Sequence, residues 1–93
     1  MSFDPQNIGK VSAEGADRTL VNEDNGKNLI CTGTRIFTVN TGLQSGFGCS
    51  FKGTVSFTGT ATVTDVRTTG ATNPWCALCA TGINTYDVVG SKA

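Results

Sequence analysis

Histidine is absent from this 93-residue sequence, and charge, proline and long apolar runs are scarce. Without histidine the chain lacks the side chain that most often serves as a general base near neutral pH, and the common catalytic arrangements built on it are excluded. Charged residues make up 15% of the chain, well under the roughly 25% of an average globular domain. Seven acidic and seven basic residues cancel. The basic ones, Lys10, Arg18, Lys27, Arg35, Lys52, Arg67 and Lys92, are spread along the chain. No basic stripe exists to follow a phosphate backbone, which speaks against nucleic-acid binding. No run approaches the ~20 apolar residues of a membrane helix, so a membrane partner is not expected. The opening MSFDPQNIGK has no basic segment leading into an apolar one. No signal peptide is therefore expected, and synthesis in a cytoplasm is.

Threonine, serine, asparagine and glycine fill the polar positions instead, most clearly in Thr54–Val63, TVSFTGTATV. Val55, Phe57, Ala61 and Val63 fall on one side of a two-residue period, with Gly59 at the position lacking a side chain. Thr54, Ser56, Thr58, Thr60 and Thr62 fall on the other. This alternation predicts a strand with one packed face, because a helical period would scatter the threonines round a cylinder. The threonine side faces either solvent or the flat flank of a neighbouring subunit, and the low charge of the chain favours the neighbour at Thr58 and Thr60.

Shorter strands are predicted on both sides. Arg18–Val21 ends at the turn sequence Asn22-Glu23-Asp24-Asn25-Gly26, followed by Lys27–Cys31 and Arg35–Asn40. Phe47, Cys49 and Phe51 alternate with small or charged residues. Gly53 then leads into Thr54–Val63 as either an antiparallel hairpin or a bulged continuous ribbon. The pattern slips at Thr64-Asp65. A loop over Thr68–Pro74 precedes a hairpin of Trp75–Ala80 and Thr85–Val89 turned at Thr81–Asn84. With no helical pattern anywhere, the expectation is an all-β fold. It takes the form of a small antiparallel β-sandwich or barrel of about seven short strands. An extended N-terminal arm, residues 1–17, precedes a β-knob of residues 18–93. In the arm, Phe3, Ile8 and Val11 read either as anchors that order against a partner or as a disordered terminus.

Few residues point to chemistry. Cys76-Ala77-Leu78-Cys79 has metal-ligand spacing, but the intervening residues do not form a knuckle. Cys31 and Cys49 are far apart in sequence, and thiols three apart on a strand diverge. No helix is predicted to depress a thiol pKa, so the four cysteines read as packing residues and no cofactor is expected. Asp65 and Asp87 stand alone, and Arg18 or Arg35 pairing with them across strands reads as structural. No catalytic constellation is expected. Trp75 and Tyr86 read either as core or interface aromatics or as a sugar-binding platform.

The order of the pieces RTL, KNLI, GTRIFTV, TGLQSGFGCSF, the Thr/Val strand and WCALCATGINTYDVVG, from Arg18 to Gly90, resembles small β-structured virion modules of tailed bacteriophages and prophages. Such modules occur as head decoration proteins, head fibres, and repeats or tips of tail fibres and spikes. The resemblance implies a non-enzymatic structural part and usually a homotrimer, located on the virion. A short chain with one compact domain suits a capsid decoration or cement protein whose partner is the major capsid protein. Phe3, Ile8 and Val11 would then lie along capsid-protein edges, with Thr58 and Thr60 against sister subunits. The alternative is a receptor- or glycan-binding tip of a fibre, using Trp75, Tyr86 and the loops Thr41–Gly46 and Thr68–Asn73. A zinc-stabilised module using the four cysteines is a third.

Overall fold

A computed structural model describes residues 10–93, and Phe3 and Ile8 lie outside the described residues. The chain forms β1 (Val11–Glu14), β2 (Arg18–Thr19), a 3-10 turn (Asn22–Asp24), β3 (Asn28–Thr38), β4 (Gly48–Thr58), β5 (Thr62–Asp65), β6 (Trp75–Gly82) and β7 (Thr85–Gly90). These make one seven-stranded mixed sheet in the order β1-β3-β4-β6-β7-β5, with β2 also paired to β3.

The all-β character is as expected, but the pairing is not that of an antiparallel sandwich or barrel. β1 and β2 pair with β3 in parallel, β3 with β4 in parallel and β5 with β7 in parallel. Among the described residues only β4–β6 and the β6–β7 hairpin are antiparallel. Successive passes of roughly twenty residues therefore stack on one another, as in a short solenoid. The turn chemistry explains this. Asn25 has φ −57 and ψ 125 and Gly26 has φ 81, and Lys27 N–H donates to the Asp24 carbonyl at 3.0 Å. That is a type II turn, whose twist does not suit a two-residue hairpin. The chain is sent back to begin another pass beside the last.

The passes of β3 and β4 each bend at a glycine. β3 carries a register irregularity between Ile30 and Thr34, opposite Lys52 to Thr54 of β4. Gly33 (φ 67) and Gly53 (φ 118) adopt left-handed backbone there. The stretch on either side of Gly53 is thus a bulged continuous strand. The predicted strand Thr54–Val63 is in turn cut at Gly59, where φ is 121. A Cβ at Gly59 would fall on the backbone of Val39, and Ala61 N–H donates to the Val39 carbonyl at 3.0 Å. This close approach requires glycine and sends β5 away to pair with β7. The predicted arm boundary at Asp17 also falls inside the sheet. Val11–Glu14 is a paired strand, with Val11 opposite Asn28.

Asparagine side chains join the outer turns of adjacent passes. Asn25 Oδ1 accepts from Gly48 N–H at 2.9 Å, Asn22 Oδ1 from Gln44 N–H at 2.7 Å, and Asn84 Oδ1 from Gly42 N–H at 2.9 Å. They satisfy turn amides that no ladder reaches.

Inward residues of the passes stack into the core. Leu29, Phe37, Phe47, Phe51, Cys76, Leu78, Tyr86 and Val88 are all essentially buried. Phe37 and Phe57 occupy one register row, and Phe51 contacts both rings, at centroid distances of 5.0 and 5.2 Å. Each end of this aromatic column is closed by an arginine. Arg18 lies over Phe37 at 5.9 Å and Arg67 over Phe57 at 5.7 Å. Such stacking lets a cation cover an apolar end.

Arg18 is held by two carboxylates that also face inward. It donates from Nε to Glu14 at 2.5 Å and in a fork to both oxygens of Asp24 at 2.9 Å. Burial pushes the Asp24 carboxyl up. The Arg18 fork, the Val21 amide and Lys27 outweigh that and hold it below the ordinary carboxylate range. Glu14 is held low by the Arg18 and Ser12 hydrogen bonds against its burial. Arg67 donates to Asp65 and, through Nη1, to the Val55 carbonyl at 2.8 Å. It therefore also caps the edge of β4 that β6 leaves uncovered beyond Lys52. Hydrogen bonds from Arg67, with help from Lys92, hold Asp65 well below its usual value. The predicted Arg18 or Arg35 pairing with Asp65 or Asp87 is thus replaced by local pairs, with Arg35 near Asp17 at 4.0 Å. Stacking brings Asp17 beside Arg35 from the following pass and Asp65 beside Lys92, while Arg18 and Arg67 pair with residues close in sequence.

Candidate functional site

The bend at the glycines divides the outward surface into two faces of different chemistry. Beyond the bend, Thr19 is opposite Thr38, and Thr38 opposite Thr58. Ile36 is opposite Ser56, and Thr34 opposite Thr54. Every outward residue of this face on β3 and β4 is hydroxylated except Ile36, which is 43% exposed at its centre. None is charged. Asp17 reaches the Ile36 amide at 2.9 Å at the margin.

Before the bend lies a mixed face. Ile30 is opposite Lys52, and Lys52 opposite Trp75. One residue pair away, Val11, Asn28 and Ser50 stand in line, with the Ser50 hydroxyl donating to Asn28 Oδ1. Trp75 is 57% exposed and Val11 68%. A groove of about 460 Å³ runs from Ile30 and Lys52 over the glycine bend to Thr72, Asn73 and Pro74. A shallower one of about 290 Å³ continues past Lys52 to Trp75 and Val11. Pro74 is pinned by Gly53 N–H donating to its carbonyl at 2.9 Å, which fixes the Thr72–Asn73 wall. The first of these volumes lies within the roughly 300–1,000 Å³ of small-molecule sites.

The residues singled out from the sequence separate accordingly. Thr58 lies on the charge-free face. Thr60 does not, because it follows the break at Gly59. Its hydroxyl accepts from Thr41 N–H at 3.0 Å and its own amide donates to Asn40 at 3.2 Å, so it ties two turns together. Trp75 and Val11 share the mixed face. Tyr86 is a core residue, 2% exposed, with its ring edge-on to Phe47 at 6.4 Å. It faces inward in the row between Val63 and Ala80 and is not available to a partner. Sequence reasoning placed Thr54 on an outward threonine side but overlooked Lys52 and Thr34 as members of a surface, and did not join Ile36 to it. Lys52 carried a signal, since it alternates outward from Phe51, but its pairing with Trp75 depends on an antiparallel contact between distant strands.

The four cysteines are free thiols. Burial raises all four, with Cys31 pushed up to about 11, so none is a thiolate near neutral pH. Cys76 is buried and Cys79 half-buried on the opposite face of β6. Among the described residues no group of three or more potential metal ligands comes together. No protein-family model, no curated protein and no solved structure matches the chain.

Proposed function

We propose that this protein is a non-enzymatic structural component of a tailed-phage virion. In this reading it is a capsid decoration protein that sits as a homotrimeric knob across neighbouring major capsid subunits and stabilises the head. The observation that carries the reading is the charge-free face of Thr19, Ile36, Thr38, Ser56 and Thr58, beyond the groove. A flat array of short side chains costs little to desolvate and little rotamer entropy to order, which suits packing against a sister subunit. The resemblance of Arg18–Gly90 to virion modules supports the same reading. So does β1, which among the described residues pairs on one side only. Its other edge can receive a strand of the major capsid protein, the mode by which extended segments add to a sheet. The full-length protein mixed with empty capsids of its phage and pelleted tests the proposal. Saturable co-pelleting is the expected result, and a protein that stays wholly in the supernatant contradicts it. The groove beside Trp75 favours a second activity on the same module, contact with a glycan on the host surface.

A further inference from the structure

The groove on the mixed face differs from an ordinary polar surface in that its polar side chains are not paired with one another. The groove is lined by the side chains of Thr34, Lys52, Thr54, Thr72 and Asn73. Among the described residues none of these five side chains makes a hydrogen bond or ion pair. No carboxylate among the described residues lines either the groove or its continuation to Trp75. Of the other basic residues, Arg18, Lys27, Arg35, Arg67 and Lys92 each have an acidic partner, and Lys10, away from the groove lining, has none among the described residues. Among the described residues Lys52 is therefore a cation without a counter-charge over a concave, hydroxyl-rich surface.

From this arrangement we infer that the groove is a binding site for an acidic saccharide, a sugar carrying a carboxylate. This deepens the glycan reading above and rests on it. Lys52 and Trp75 face each other across β4 and β6, a placement that sets side-chain origins about 5 Å apart. A pyranose ring can lie on the indole, whose flat face offers a large contact with little entropy to lose. Its carboxylate then meets the ammonium of Lys52 in a charge-assisted hydrogen bond. The ring hydroxyls reach Thr54, Thr72 and Asn73, which supply both donors and acceptors. The bend contributes by omission. Gly33 and Gly53 floor the groove without side chains, and at Gly53 a Cβ would meet the Cys31 carbonyl at 2.8 Å. Neutral sugars lack a group for Lys52, and simple anions lack one for Trp75.

The chain contains one tryptophan, so its intrinsic fluorescence reports on this groove alone. Full-length protein titrated with oligogalacturonate should show a saturable change in emission. Maltooligosaccharide should produce a much weaker change and polyglutamate none. By calorimetry, Lys52→Gln should weaken oligogalacturonate binding about tenfold, and Trp75→Ala should weaken it at least as much. Both residues are exposed, so both variants should retain the wild-type circular dichroism. Thr54→Val, which keeps shape and removes a hydroxyl, should weaken binding by a smaller factor. Four results overturn the inference. Equal response to polyglutamate reduces the site to charge attraction, and unchanged binding by Lys52→Gln removes the carboxylate contact. Tighter binding of the neutral sugar would refute the acidic class while leaving the glycan reading standing. Failure of every saccharide sinks both, whatever the capsid experiment gives.

Discussion

The two arginines that close the aromatic column do the same job under different conditions. Arg18 covers Phe37 and holds two carboxylates that are almost wholly buried, Glu14 at 7% and Asp24 at 3% side-chain exposure. Arg67 covers Phe57 from the other end, is itself 5% exposed, and pairs with an Asp65 that remains 34% exposed. At the first end the buried charges are the acids; at the second the buried charge is the base. Water can take over from a lost partner only where the remaining charge can reach it. The first end should therefore be brittle to loss of its arginine, and the second more tolerant of the same loss, because the Asp65 left behind can reach water.

The largest effect should come from Arg18→Ala, which strands two inward carboxylates. Breaking a buried pair from one side typically costs about 3–5 kcal/mol, and the partial exposure of Arg18 points to the lower figure. Urea denaturation measures it, and a loss below that of Arg67→Ala would invert the comparison. Arg67→Ala should cost about 1–3 kcal/mol, because the Val55 carbonyl loses a hydrogen bond and Phe57 its cover while Asp65 hydrates.

Acid sharpens the same contrast. Glu14, Asp24 and Asp65 all have folded pKa values below their unfolded ones. The unfolded chain therefore takes up protons first as the pH falls. Their stabilisation is complete above the unfolded values of 4.5 for Glu14 and 3.8 for the aspartates, and is lost as the pH drops through the folded ones. Melting temperature should be level near neutrality and fall below about pH 4. Arg18→Ala should flatten that fall; an undiminished acid transition in this variant would show that the first end does not carry it. The smallest effect belongs to Lys92→Ala, whose pair with Asp65 is exposed on both sides. It should cost about 0.5 kcal/mol or less and vanish in high salt.

Much of the strand content was legible because alternation is local. Phe47, Cys49 and Phe51 point inward as their period predicts, and Trp75–Gly82 and Thr85–Gly90 form the expected hairpin around Asn84, at φ 53. Pairing direction was not legible, because it depends on turn geometry. Asn25-Gly26 reads as a hairpin signal until Asn25 is found in type II geometry with its amide serving Gly48. Gly59 appeared in the sequence as a gap in an apolar stripe, whereas its reason is the Val39 backbone, contributed by an earlier pass. The arginine caps were illegible for the same cause. Nothing in the sequence places Arg18 beside Phe37 until the passes are stacked.

The threonine periodicity of Thr54–Thr58 was read correctly as a face, but its extent was not. Stacking extends it to Thr19, Thr34 and Thr38, centres it on Ile36, and excludes Thr60. The claim that this face is the flank of a sister subunit is tested most directly by sedimentation velocity on the full-length protein and its Ile36→Lys variant. The account predicts a wild-type trimer and a variant that sediments as a monomer with unchanged circular dichroism. A wild-type monomer, or a variant that assembles as the wild type does, would contradict it.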